Sequence, residues 1–258
     1  MPRVLEVVVD PRESAAFHAA RLVNTFAESL AQAWQLMASG DAGLWSVVAL
    51  SLRVSGSATL IAALLGTLLG AWLAVARFPG HRGVVVGLNT LLALPSVVVG
   101  LVVYLLLSRS GPLGSWGILF TPSAMVIAQT ILTVPIVAAL TRQLVADAWR
   151  GNGEQLRSMG AGPTTAAALL LVHERWSLVT VLLTAFGRAI SEVGAVMVVG
   201  GNILGVTRVM TTSIALETSK GDLPLALGLG IVLLAVVFVL NALIALMQRL
   251  SREAKGAS

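Results

Sequence analysis

The chain has 258 residues, 57% of them hydrophobic and 11% charged, with a mean hydropathy of +0.90, a balance that excludes an ordinary soluble domain and implies a polytopic membrane protein. Its net charge of +5 is spread over inter-span segments, with only two lysines, Lys220 and Lys255, so no basic face is built and nucleic acid is not expected as a partner. Zero cysteines exclude disulfides, thiolate metal sites and a cysteine nucleophile, and His18, His81 and His173 are too dispersed for a metal-ligand cluster.

At the start of the chain, mixed charge together with Pro2 and Pro11 argues against a cleaved signal, which leaves the first span to direct insertion. Val23, Phe26, Leu30, Trp34 and Met37 then recur at helical spacing opposite Arg21, Glu28 and Gln32. This predicts an amphipathic helix lying along the membrane or packed on the bundle, broken by Ser39-Gly-Asp-Ala-Gly43. A bilayer core takes about 20 apolar residues per helix, and five stretches qualify: 44–76, 84–107, 122–145, 178–200 and 223–247. The fold class expected is all-α, a membrane helix bundle. An N-terminal extension with its surface helix covers 1–43, a transmembrane domain 44–250 with a cytoplasmic loop at 150–176, and a tail 251–258.

Within the first span, Gly66 and Gly70 form a small-xxx-small pattern that lets backbones approach, within the chain or between subunits. Pro95 and Pro135 interrupt the second and third spans, each removing a helix hydrogen bond and predicting a kink. Arginines set the orientation. Arg77 and Arg82 follow the first span, Arg142, Arg150, Arg157 and Arg175 separate the third from the fourth, and Arg249, Arg252 and Lys255 follow the last. The positive-inside rule then places the N-terminus outside and the C-terminus in the cytoplasm.

That orientation puts the polar segment from Glu154 to Gly160 inside the cell. Asn152 or Gly153 is expected to cap a short helix beginning near Glu154, with the carboxylate at the positive end of its dipole. Gly160 supplies a left-handed turn, and Gly162-Pro163 restarts a second helix. The outcome is a projecting helix–turn–helix, either a docking handle or an ordinary inter-span loop.

Arg53, Arg188 and Glu192 fall within expected spans, where a charge costs about 2.5–3.5 kcal/mol on insertion scales. Arg188 and Glu192 are four apart and can pair on one helical face, either to fix helix register or to present Arg188 to an anion pathway. Ser191 and Gly194 flank the pair and Gly200-Gly201-Asn202 ends the span, with small residues that suit a gate or plain packing. Arg208, Thr211, Thr212 and Ser213 are expected in an external loop, and Asp222 reads as a cap for the last span. No GxxxxGK[ST] phosphate loop is present, so uphill transport would need a partner or an ion gradient.

The six-residue spacing of Glu154 and Gly160 resembles the EAA loop of type I ABC importer permeases, with Gln155 and Leu156 in place of the two alanines and Val172-His173 where Leu-Pro often closes the motif. The run from Arg188 to Asp222 is more specific. Gly-Arg-Ala-Ile-Ser-Glu-Val-Gly-Ala-Val-Met, Gly-Gly-Asn-Ile, Thr-Arg-Val-Met-Thr-Thr and Ile-Ala-Leu-Glu-Thr-Ser-Lys-Gly-Asp resemble the tungstate-transport permeases, relatives of the molybdate permeases. Ser51-Leu-Arg-Val-Ser55, Leu94-Pro-Ser-Val-Val-Val-Gly100 and Ser108-Arg-Ser-Gly-Pro-Leu-Gly114 fit the same family, and the likeness extends from about Ala33 to Met247. The resemblance implies a homodimeric permease in a bacterial or archaeal plasma membrane, embedded in lipid, importing tungstate or another oxyanion. It would have no catalytic site, metal or cofactor of its own. ATP and Mg would be bound by partner ABC ATPase subunits docked at Glu154, Gln155, Leu156, Gly160 and Ala161. Arg188, Ser191, Glu192, Gly194 and Asn202 would line a path or gate, and Arg208, Thr211 and Thr212 would meet an extracytoplasmic substrate-binding protein. The rival readings are a self-sufficient secondary transporter, which would show internal repeats or an ion relay, and an assembly factor.

Overall fold

The computed structural model describes residues 27–256, and among them helix is the only regular secondary structure. In an apolar medium every backbone polar group must be satisfied internally, and helices do this within one segment. The first helix, α1 (27–38), carries only the end of the expected amphipathic stretch; Arg21, Val23 and Phe26 lie outside the described residues. It packs by its small side, with Ser29 and Ala33 buried, while Leu30 and Trp34 point outward. Of the expected apolar stripe, Leu30 and Trp34 face the surroundings while Met37 packs against the bundle beside Leu44 and Leu229, and the crossing with the last helix is close: Ala33 lies against Gly228, where a Cβ would stand 3.8 Å from that of Ala33.

Gly40, at φ +70°, ends α1, and the Asp41 carboxylate accepts from Leu44 N at 2.7 Å to cap α2 (Ala42–Val75). At 34 residues α2 is roughly 50 Å long, more than a bilayer core requires. Its main partner is α5 (Pro122–Ser158), which passes through Pro135 as one element and begins with Pro122 at its first position. Gly66 and Gly70 face α5. A Cβ on Gly66 would stand 2.7 Å from Val137 Cβ, and one on Gly70 would strike the Ala138 carbonyl. The small-xxx-small pattern is thus used inside the chain.

Two expected spans are broken. The second divides into α3 (His81–Leu91) and α4 (Ser96–Leu107), bent by 96°. Pro95 lacks the donor that would continue the helix, and it disfavours helical geometry at Leu94. The stretch expected at 178–200 is interrupted as well: α7 (Arg175–Ile190) ends before Ser191, and α8 (Gly194–Gly200) begins after Val193. No proline marks this second break. It follows instead from the approach of α4, since a Cβ on Gly194 would lie 2.7 Å from Val97 Cγ2 and 2.8 Å from Ser96 Oγ. Upstream, α6 (Pro163–His173) meets α7 at 79°.

The expected loop after α8 is largely helical, as α9 (Met210–Lys220), and Asp222 Oδ1 accepts from Leu225 N as α10 (Leu223–Gly256) begins. Among the described residues three helices, within α2, α5 and α10, are long and apolar enough to cross a membrane, and up to five crossings result if the bent pairs α3–α4 and α6–α7 each count as one. One end of the bundle gathers the starts of α2 and α5 with α4 and α8 around Val54, Val103, Met125, Ala195 and Val199. The opposite end gathers the close of α2 and α5 with α6 around Ala71, Val145, Ala167 and Leu170.

Candidate functional site

At the α6 end, α5 runs unbroken to Ser158, so neither Asn152 nor Gly153 caps a new helix. Asn152 Nδ2 donates to the Ala148 carbonyl inside the helix at 3.3 Å. Gly153 is buried under the Trp149 ring, 3.0 Å from where its Cβ would be, and the Arg157 guanidinium covers the same ring at 5.1 Å. This stack carries the helix past its two glycines. Glu154 therefore sits in the last turns of α5, towards the negative end of its dipole rather than the positive end expected.

Gly160 then closes the helix at φ +78°. Ala161 N donates to the Leu156 carbonyl at 3.0 Å and Gly160 N to that of Arg157 at 2.9 Å, the paired bonds of a Schellman ending. Pro163 occupies the first turn of α6, and Ala166, Ala167 and Leu170 bury that helix against α2 and α5. Leu156 packs into the same cluster, while Glu154, Gln155, Met159 and Gly160 are exposed at the apex. Met159, 74% exposed, was not singled out from sequence; the signal was its place beside the turn glycine.

The second constellation surrounds the break between α7 and α8. Arg188 Nη1 donates to Glu192 Oε2 at 2.7 Å, Ala195 N donates to Glu192 Oε1 at 3.2 Å, and the Thr211 hydroxyl donates to the Glu192 carbonyl at 2.8 Å. Glu192 is 4% exposed and Arg188 half-exposed, so the carboxylate is the buried anchor and the guanidinium its solvent-reaching partner. Gln129 on α5 donates from Nε2 to the Ala189 carbonyl at 3.0 Å, leaving its buried Oε1 without a protein partner. With Thr133, Arg188 and Glu192 it lines a narrow cavity of about 20 Å³, room for a single water. The arrangement is a polar joint between helices in an otherwise apolar bundle.

Asn202 adopts φ +49°, accepts the Thr212 hydroxyl at 2.9 Å and donates to the Thr212 carbonyl at 3.3 Å. Ser51 on α2 accepts from Met210 N at 2.7 Å, tying α9 to the first span. Thr211 and Thr212 are thus buried on a helix, with their hydroxyls committed to internal bonds, where a loop was expected. Ser191 remains exposed, its hydroxyl donating to the Gly187 carbonyl. Arg208 Nη1 lies 3.5 Å from Glu217 Oε1, which Lys220 Nζ also approaches at 3.1 Å. Gln129 and Ser51 did not emerge as site residues from sequence because their partners come from distant segments.

No protein-family model matches the chain. Among curated proteins it is 43% identical to the tungstate uptake system permease protein TupB of Peptoclostridium acidaminophilum, over 84% of this chain and 96% of that protein. It is also 43% identical to a probable anion ABC transporter permease protein of Haloferax volcanii, over 81% of this chain and 93% of that one. With the tungstate uptake system permease TupB of Campylobacter jejuni it shares 40% identity over 59% of this chain and 64% of the relative.

Proposed function

The chain belongs to the tungstate uptake permeases among the anion ABC transporters, and on that premise we propose that it moves tungstate inward by alternating access, driven by a separate ATPase. The observation that carries the coupling is the exposed apex at Glu154, Gln155, Met159 and Gly160, held on a helix that runs unbroken from inside the bundle. Such a lever transmits a push at its tip as a rigid-body displacement of α5 and, through Gly66 and Gly70, of α2. In the working complex two copies pair to enclose one pathway and two ATPase subunits grip the two apices. ATP and Mg bound between those subunits draw the apices together, so that the dimer opens outward to an oxyanion delivered by an extracytoplasmic binding protein. The N-terminus lies outside and the C-terminus in the cytoplasm, as the arginine distribution requires. Hydrolysis belongs to the partner, and this chain supplies the path.

The coupling is tested by purifying the tagged permease from its native host. Glu154→Lys reverses a charge on an exposed apex and leaves the Schellman turn intact. It is expected to deplete the co-purifying ATPase about tenfold without changing the amount of permease. Full retention of the ATPase by this variant, and by one with Met159→Asp added, would remove the apex from the coupling path.

A further inference from the structure

Resting on the importer reading, the geometry points to a second anion-handling element: a weak receiving site for a divalent tetrahedral oxyanion built from Arg53 and Arg208, at the end of the bundle opposite Glu154. The two arginines line one cavity of about 360 Å³ between α2 and the turn at 203–208, with Ser46, Leu50 and Val206 in its wall. One water occupies about 30 Å³ of liquid, so the cavity admits such an anion together with part of its water shell. Three of the turn's backbone donors are already spent, since Val206 N, Thr207 N and Arg208 N all donate to the Ile203 carbonyl, and the charged donors in the cavity wall are the two arginines. Anion recognition in this cavity falls to the guanidinium groups, whose planar forks match oxyanion edges.

The charges are unbalanced. Glu217 is one carboxylate shared by Arg208 and Lys220, and Arg208 Nε is a buried donor without a partner among the described residues. Arg53 has no carboxylate within ion-pairing distance among the described residues, and it is exposed. It stands roughly 17 Å along α2 from the first residue, well inside an apolar helix, where an unmatched charge persists only beside water or an anion. Arg188, by contrast, is already neutralised by Glu192. Arg53 also borders a second cavity of about 390 Å³, shared with Ser57 and with Ser123 and Val126 of α5. Arg53 therefore borders both compartments, placed to accept an oxyanion on the turn side and pass it to the α2–α5 side. Three cations, Arg53, Arg208 and Lys220, stand against the single Glu217 carboxylate, and the two net positive charges that remain hold a dianion weakly enough to release it.

The test uses the permease with its ATPase in proteoliposomes, supplied with tungstate-loaded binding protein at increasing concentration. Arg53→Gln is expected to lower the maximal uptake rate about tenfold while changing the half-saturating binding-protein concentration less than about twofold, with Arg53→Lys restoring much of the rate. Val206→Trp, which fills the cavity and leaves both arginines in place, is expected to lower the maximum in the same way. ATP hydrolysis stimulated by the loaded binding protein persists in each variant, showing that assembly is intact. An unchanged maximum overturns the receiving site. So does a raised half-saturating concentration at full maximal rate, which would make these residues a binding-protein contact. Failure of the wild-type complex to take up either tungstate or molybdate would instead remove the importer reading, and this inference with it.

Discussion

The α2–α5 pair and the α4–α7–α8 joint solve the same problem of holding helices together in an apolar medium by opposite means. The pair uses two unbroken helices whose backbones touch at Gly66 and Gly70. The joint uses two broken ones, with Glu192 gathering a guanidinium, a backbone N–H and a threonine hydroxyl at the break. Close packing without polar groups has one geometry and resists displacement. A hydrogen-bonded break can exchange partners, since each donor lost can be replaced by another or by water. In the proposed transport cycle, this difference would give force transmission to α2 and α5 and conformational change to the joint.

Gly70→Val is the sharpest way to break this contrast. The new side chain meets the Ala138 carbonyl, a backbone atom that cannot rotate aside, and the expected loss is at least about 3 kcal/mol. It should appear as loss of folded protein on size-exclusion chromatography, whereas Gly56→Ala, on the same helix and facing open space, should leave the elution and melting temperature unchanged. Equal tolerance of both would mean that the α2–α5 contact is not tight.

The joint is sharpened by a double-mutant cycle. Arg188→Gln leaves a buried Glu192 uncompensated, whereas Glu192→Gln leaves a half-exposed Arg188 that still reaches water. The first variant should therefore cost more, about 1–3 kcal/mol after allowing for solvent around Arg188, and the double variant should recover part of the loss. Melting curves of the four proteins in nanodiscs measure this coupling. Additive losses would show that the pair does not act as a unit, and Arg188→Gln with normal assembly and unchanged transport would take Arg188 out of the anion path.

Smaller effects belong to the helix ends. Gly160→Val forces a β-branched residue into left-handed backbone, at about 1–2 kcal/mol, and should weaken ATPase retention more than Gly160→Asn. Asp41→Ala removes the cap on Leu44 N, costs about 1 kcal/mol, and should lower the melting temperature with no change in transport per folded molecule.

The long apolar elements were legible because span length and hydropathy are local properties: the stretches read at 44–76, 122–145 and 223–247 correspond to α2, α5 and α10. Pro95 announced one break, but Ser191-Glu192-Val193 carries no breaker, and its break comes from α4 pressing on Gly194. The stretch from Met210 to Lys220 read as a loop because it is polar, yet the Thr211 and Thr212 hydroxyls at its start are spent inside the bundle. The Arg188–Glu192 pair was visible at helical spacing. Gln129, bonded to Ala189, and Ser51, bonded to Met210, were not, since those partners lie 60 and 159 residues away. The expected cap at Asn152 or Gly153 failed because Trp149 and Arg157 stack across the glycines, a tertiary choice that glycine content alone does not reveal.

Tungsten and molybdenum content, measured by elemental mass spectrometry at limiting supply in cells lacking this gene and in cells with it restored, tests the tungstate importer most directly. The account predicts that tungsten falls in the deletion and returns on restoration while molybdenum is held; loss of both would broaden the cargo to oxyanions of this size and charge, and unchanged content of both elements would contradict the account.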